Sequence, residues 1–174
     1  MDRFDGVAIG AVVVLAIGSI MLMHGQQKEV RPDRNLQERG TAVAAAAGGE
    51  LGNGVRLAKK LLEAGDLGRA EPLLQDLRKK FPYQAELAML MGDLFMRRQE
   101  PVTAMHAYKE AIDLNPDYLD KKTPQFQGKK LKVAVGEALV EIDSRLKAAP
   151  GDEALKREKK VIYYLYRKIA GSCG

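Results

Sequence analysis

The side chains best suited to chemistry are few and far apart. His24 and His106 are the only histidines and Cys173 the only cysteine among 174 residues. Zinc and haem sites need several such ligands at short spacing; with no C-x-x-C and no C-x-x-C-H, a structural zinc site and a c-type haem are excluded. His106 has no second histidine or carboxylate at a ligand spacing and reads as a packing or surface residue. His24 falls at the edge of an apolar run, where an interfacial role suffices. Cys173 reads as an inert tail thiol, with an intermolecular disulfide as the alternative in an oxidising compartment. The stretch from Gly48 to Gly54 (GGELGNG) is glycine-rich, but neither Lys-Ser nor Lys-Thr follows and no strand precedes it. It is therefore no phosphate-binding loop and reads as a helix break. Gly128-Lys129 likewise lacks the upstream glycine and the hydroxyl residue of such a loop. Acidic residues are spread along helix faces as solvated charges are. The expectation is a non-enzymatic protein with no catalytic residue, no cofactor and no metal.

What remains is surface charge, and it is uneven. Residues 121–174 carry thirteen Lys and Arg against six acids, +7, while the rest of the chain sums to −2. One basic cluster is Lys121, Lys122, Lys129, Lys130 and Lys132. Another is Lys156, Arg157, Lys159 and Lys160, continued by Arg167 and Lys168 and interleaved with Tyr163, Tyr164 and Tyr166. Such a face is suited to anionic lipid or to an acidic protein, with a solvated cap as the bland alternative. Nucleic acid would use the same charges, but Phe126 is the only aromatic near the first cluster and no recognition motif accompanies it.

The elements that position these residues are helices. Tryptophan is absent, aromatics make up 6% of the chain, and long Ala, Leu, Lys and Glu stretches favour helix over an aromatic-rich sandwich. The fold class expected is all-α. Val7 to Met23 is an uncharged, largely apolar run of seventeen residues, which as a helix spans about 26 Å, close to one bilayer crossing. Asp2, Arg3 and Asp5 give it no positive start, no A-x-A site lies close behind it, and no cysteine follows to take a lipid. A retained anchor over residues 1–24 is therefore favoured over a cleaved signal. Lys28, Arg31, Arg34 and Arg39 after the span against Arg3 before it lean the rest of the chain toward the cytoplasm of a bacterial inner membrane, with the extracytoplasmic side as the alternative. Residues 25–50 read as a linker, polar and interrupted by Pro32, then Ala- and Gly-rich.

Self-comparison gives a period of 34 residues: Ala70, Ala104 and Ala138 are in register, as are Pro82, Pro116 and Pro150. A small residue midway along a second helix lets the preceding helix cross close by, and proline stops each pair. The residues between these landmarks resemble the tetratricopeptide repeat family. Ala85 to Pro116 is the best copy, with Met91-Gly92, Phe95, Ala104, Tyr108, Ala111 and Asn115-Pro116 at the family's positions. Leu51 to Pro82 is a second, with Leu57-Ala58, Leu61, Gly65-Asp66, Ala70 and Leu74, although Gly54 replaces the bulky first-helix residue and Leu77 the late alanine. The third frame keeps Ala138, Ile142 and Pro150. Its first helix is broken at Lys121-Lys122-Thr123-Pro124, and Leu131-Lys132 fills its turn. The organisation expected is two repeats over 51–118, then a degenerate half-repeat and basic capping helix over 119–174, in a short right-handed helical-hairpin solenoid of about six helices.

The resemblance implies a scaffold that binds a peptide or helix of a protein partner on its inner face. The groove positions it assigns are Val55, Lys59, Leu62 and Glu63 from one copy and Glu86, Met89, Asp93, Met96 and Arg97 from the next. Asp93 stands where chaperone-binding relatives carry Asn, so their carboxylate clamp is not expected. Met89 and Met96 either supply adaptable contacts to a partner helix or fill gaps between helices.

Overall fold

A computed structural model describes the backbone of residues 34–172 and the side chains of residues 47–171. The expected anchor over 1–24, with His24, and the tail thiol Cys173 lie outside the described residues. Among the described residues the chain is all-α: α1 (Arg34–Glu63), α2 (Leu67–Lys80), α3 (Ala85–Arg97), α4 (Pro101–Leu114), a 3-10 turn (Pro116–Leu119), α5 (Gly128–Ala148) and α6 (Glu153–Ser172). None of these helices is long and apolar enough to cross a membrane. The chain divides into two units, residues 1–45 and 46–174, and the packing described below belongs to the second.

The glycine-rich stretch does not break the chain as expected, because α1 runs unbroken through Gly48, Gly49, Gly52 and Gly54. A helical glycine is weaker than alanine by about 1 kcal/mol but does not forbid the helix. Docking of the segment that holds Val55, Ala58 and Leu62 onto Ala70, Leu74 and Leu77 of α2 offsets that weakness. Gly54 lies at this docking: a Cβ there would lie 2.7 and 2.8 Å from the two methyls of Leu77, whose side chain would have to move aside. A glycine on α1 thus faces a leucine on α2. The same close approach recurs in α3 and α4, where a Cβ on Gly92 would meet the Tyr108 ring at 2.3 Å.

The 34-residue period is written into the backbone hydrogen bonds. Asp66 N donates to Leu61 O at 2.9 Å and Glu100 N to Phe95 O at 2.9 Å, closing two equivalent turns. Each turn needs a left-handed residue, supplied by Gly65 at φ 73° and, one period later, by Gln99 at φ 60°. The second helices also end alike: Phe81 N donates to Leu77 O, Asn115 N to Ala111 O and Ala149 N to Arg145 O. Pro82, Pro116 and Pro150 follow these three ends. They cannot donate to continue a helix, and they disfavour helical backbone in the residue before them.

The third period departs from the first two. By the register of the two observed turns the third turn position is Val133, not Leu131-Lys132 as expected, and a β-branched residue is a poor left-handed residue. No turn forms there, and α5 runs through the position as one helix. The 3-10 turn and the segment 120–127 occupy the place of a first helix, held by Gln127 N donating to Tyr118 O at 2.7 Å.

The core is built in two clusters that meet at Phe95. Leu87, Leu90, Met91 and Leu94 of α3 join α1 and α2 in one. Tyr108 and Met105 of α4 join Leu131, Val135, Ala138 and Ile142 of α5 and Ile162, Leu165 and Ile169 of α6 in the other.

Candidate functional site: a charged groove and a basic helix face

Seven of the nine expected groove positions line one cleft of about 270 Å³: Lys59, Leu62 and Glu63 from α1 and Glu86, Met89, Asp93 and Arg97 from α3. Helix period places them together, since Glu86, Met89, Asp93 and Arg97 follow at steps of three and four along one face of α3. The remaining two, Val55 and Met96, do not line it. Val55 is buried against α2, and Met96 is half-buried against the α4–α6 cluster.

The apolar members of the set prove to be floor rather than grip. Leu62 is 2% exposed and Met89 4%, both within the core. What the cleft presents is charge, and part of it is already paired. Lys59 Nζ donates to Glu86 Oε1 at 2.5 Å across α1 and α3, both side chains about half exposed. Exposed pairs of this kind contribute little stability, ~0.2–1 kcal/mol.

Asp93 sits deeper, and its partners come from elsewhere. Tyr108 Oη donates to Asp93 Oδ1 at 2.7 Å, and Lys130 Nζ donates to Oδ1 at 2.7 Å and Oδ2 at 3.0 Å. The same ammonium lies 5.5 Å from the centroid of the Tyr108 ring. Burial, and then the Asp93 charge, raises the Tyr108 hydroxyl far above its ordinary range, so it stays protonated and can donate to Asp93. Lys130, grouped by sequence with the basic surface, is therefore a wall of the groove and not part of a free patch. Gln127 and Tyr118 complete that wall. Burial, and then the nearby Glu86 carboxylate, raises the Tyr118 hydroxyl as well. Tyr118, Gln127 and Lys130 were not legible as groove residues: a lysine 37 residues from its carboxylate carries no periodic signal, and only the docking of α5 brings the two together.

Two charged side chains in the cleft, Glu63 on α1 and Arg97 on α3, are exposed, and no ion pair involves either among the described residues.

The basic C-terminal residues separate by environment. Lys159 Nζ donates to Asp143 at 2.7 Å and Lys156 Nζ to Glu153 at 2.7 Å. Lys122, Lys129 and Lys132 are exposed around the start of α5, and Lys121 is exposed on the segment before it. Arg157, Lys160 and Arg167 are exposed on α6. His106, read as packing or surface, is bonded through Nε2 to Glu158 across α4 and α6. Asp113 accepts from Tyr164 Oη at 2.7 Å and from Lys109 Nζ at 2.6 Å. Partial burial would raise the Asp113 carboxyl, but these two donors outweigh it and hold it below the ordinary range. Among the described residues, no three His, Cys, Asp or Glu side chains stand close enough to hold a metal ion.

No family model matches this chain, and neither does any curated protein or any solved structure.

Proposed function

We infer that this chain is a membrane-anchored, non-enzymatic scaffold of the tetratricopeptide type that binds an extended, charged segment of a protein partner in the α1–α3 groove. The observation that carries this reading is the convergence of Lys59, Glu63, Glu86, Asp93 and Arg97 on one cleft, with Glu63 and Arg97 of opposite sign and in no ion pair among the described residues. The repeating turns and helix ends support the repeat assignment. The burial of Leu62 and Met89 favours an extended peptide over a helix, because a docking helix needs exposed apolar anchors and here they lie under the floor. The run Val7 to Met23 supplies the anchor in this reading, and the Lys and Arg residues behind it support a cytoplasmic stack.

Panning a random peptide library against the full chain in detergent tests the groove. Enriched peptides should carry an acidic residue opposite Arg97 and a basic one opposite Glu63. Arg97→Glu should weaken them by about tenfold or more, the scale expected for a charge-assisted hydrogen bond, with the melting midpoint unchanged. Enrichment of peptides indifferent to Arg97→Glu and to Lys59→Glu would remove the groove assignment. Protease protection in sealed vesicles reads the side of the membrane.

A further inference from the structure

We propose that the outer face of α6 is a docking surface for an anionic lipid bilayer. Lys156, Lys160, Tyr163 and Arg167 follow at steps of four, three and four, which places them on one line of the helix. That line spans about 17 Å at helical rise. The opposite face of α6 is fixed in the core by Ile162, Leu165 and Ile169, 0%, 1% and 3% exposed. The basic line is thus held rigid and turned outward.

Charge alone does not choose between a bilayer and an acidic macromolecule; the tyrosines do. Tyr163 and Tyr166 are 40% and 51% exposed and meet edge to face with ring centroids 6.3 Å apart. Rings with an apolar body and a polar tip, set among long basic side chains, suit the headgroup layer, where the rings enter the interface and the cations meet phosphate. Arg157, Lys160 and Arg167 are free of carboxylate partners among the described residues and meet lipid without breaking an ion pair, and Lys156 gives up only an exposed pair with Glu153. The other basic cluster offers less, since Lys130 is held by Asp93. The inference borrows from the proposed function only in that the anchor would bring this face near a bilayer.

The test uses the full chain, reconstituted with neutral phosphatidylcholine vesicles or with vesicles holding about one quarter phosphatidylglycerol. Lysine acetylation footprinting reads the surface and co-flotation reads the anchor. Lys156 and Lys160 should be protected several-fold on the anionic vesicles only, with Lys79 on α2 unchanged, and about 0.5 M salt should abolish the protection. The double variant Lys160→Gln, Arg167→Gln should lose about 25-fold in the salt-sensitive component, roughly fivefold for each basic residue removed. Equal labelling on both vesicle types would overturn the proposal. Protection by polyglutamate or DNA but not by anionic vesicles would also overturn it and reassign the face. Failure to float with neutral vesicles would count against the anchor alone, because binding to anionic vesicles at low salt would still report the α6 face.

Discussion

At the scale of single residues, Gly92 and Gly54 are set by contact rather than by turn geometry. Gly92 lies against the Tyr108 ring, a rigid group 1% exposed. Gly92→Ala should therefore destabilise the chain by about 2 kcal/mol despite the better helix propensity of alanine, read as a lower midpoint in denaturant. Gly54 faces the flexible end of Leu77, and here the sign should depend on the partner. Alone, Gly54→Ala should cost about 1 kcal/mol; in a Leu77→Ala background it should stabilise by about 1 kcal/mol, as space opens and propensity is gained. Additive effects in that cycle would show that Gly54 and Leu77 are not coupled across the α1–α2 contact. Tyr108 carries a further signature. Its hydroxyl is raised in the folded chain by burial and by Asp93, while in the unfolded chain it ionises near pH 10. The native state therefore keeps a proton that the unfolded state loses, and stability is full below pH ~10 and falls above it. Denaturation between about pH 9 and 11 should show this fall, shallower in Tyr108→Phe, with a remainder from Tyr118 and Tyr164 and from Lys80, Lys109 and Lys159, all of which are also raised.

At the scale of elements, the turns show how much of the repeat is local chemistry. Gly65 adopts the left-handed conformation without penalty, whereas Gln99 adopts it against the preference of a residue with a Cβ. Gln99→Gly should therefore stabilise the chain by ~0.5–1 kcal/mol, visible as a raised melting temperature, unless the flexibility gained by the unfolded chain cancels it. Val133 at the third such position carries the opposite instruction, and α5 continues through it. The link from α5 back to α3 is the Lys130–Asp93 pair, whose carboxylate is 17% exposed. Lys130→Met should destabilise by about 1–3 kcal/mol, since Asp93 then keeps only the Tyr108 donor, and should widen the groove on that side. A Lys130→Met chain of unchanged stability would mean that the wall is held by apolar packing alone.

At the scale of the whole molecule, the reading joins an anchor, a groove and a basic face, and each can be removed separately. Deleting residues 1–24 should move the chain from the membrane fraction to the supernatant, as read by fractionation at high salt. The all-α class, the phase of the helix ends and the placing of seven of the nine expected positions along one cleft were legible because they rest on periodicity and on proline and glycine chemistry, which act within a few residues; that a partner binds there is the proposal. The continuity of α1 through its glycines was not legible, since the packing that outweighs their propensity comes from α2. Nor were the burial of Leu62 and Met89, the capture of Lys130 by Asp93 and the bond between His106 and Glu158, all set by which helix lies opposite. The sequence by itself determined where α2, α4 and α5 stop at their prolines and which side of each is apolar, because those choices are made by neighbours along the chain. Only the tertiary structure decided which charges are consumed and which stay free, because ion pairing depends on distances between helices that no local rule contains.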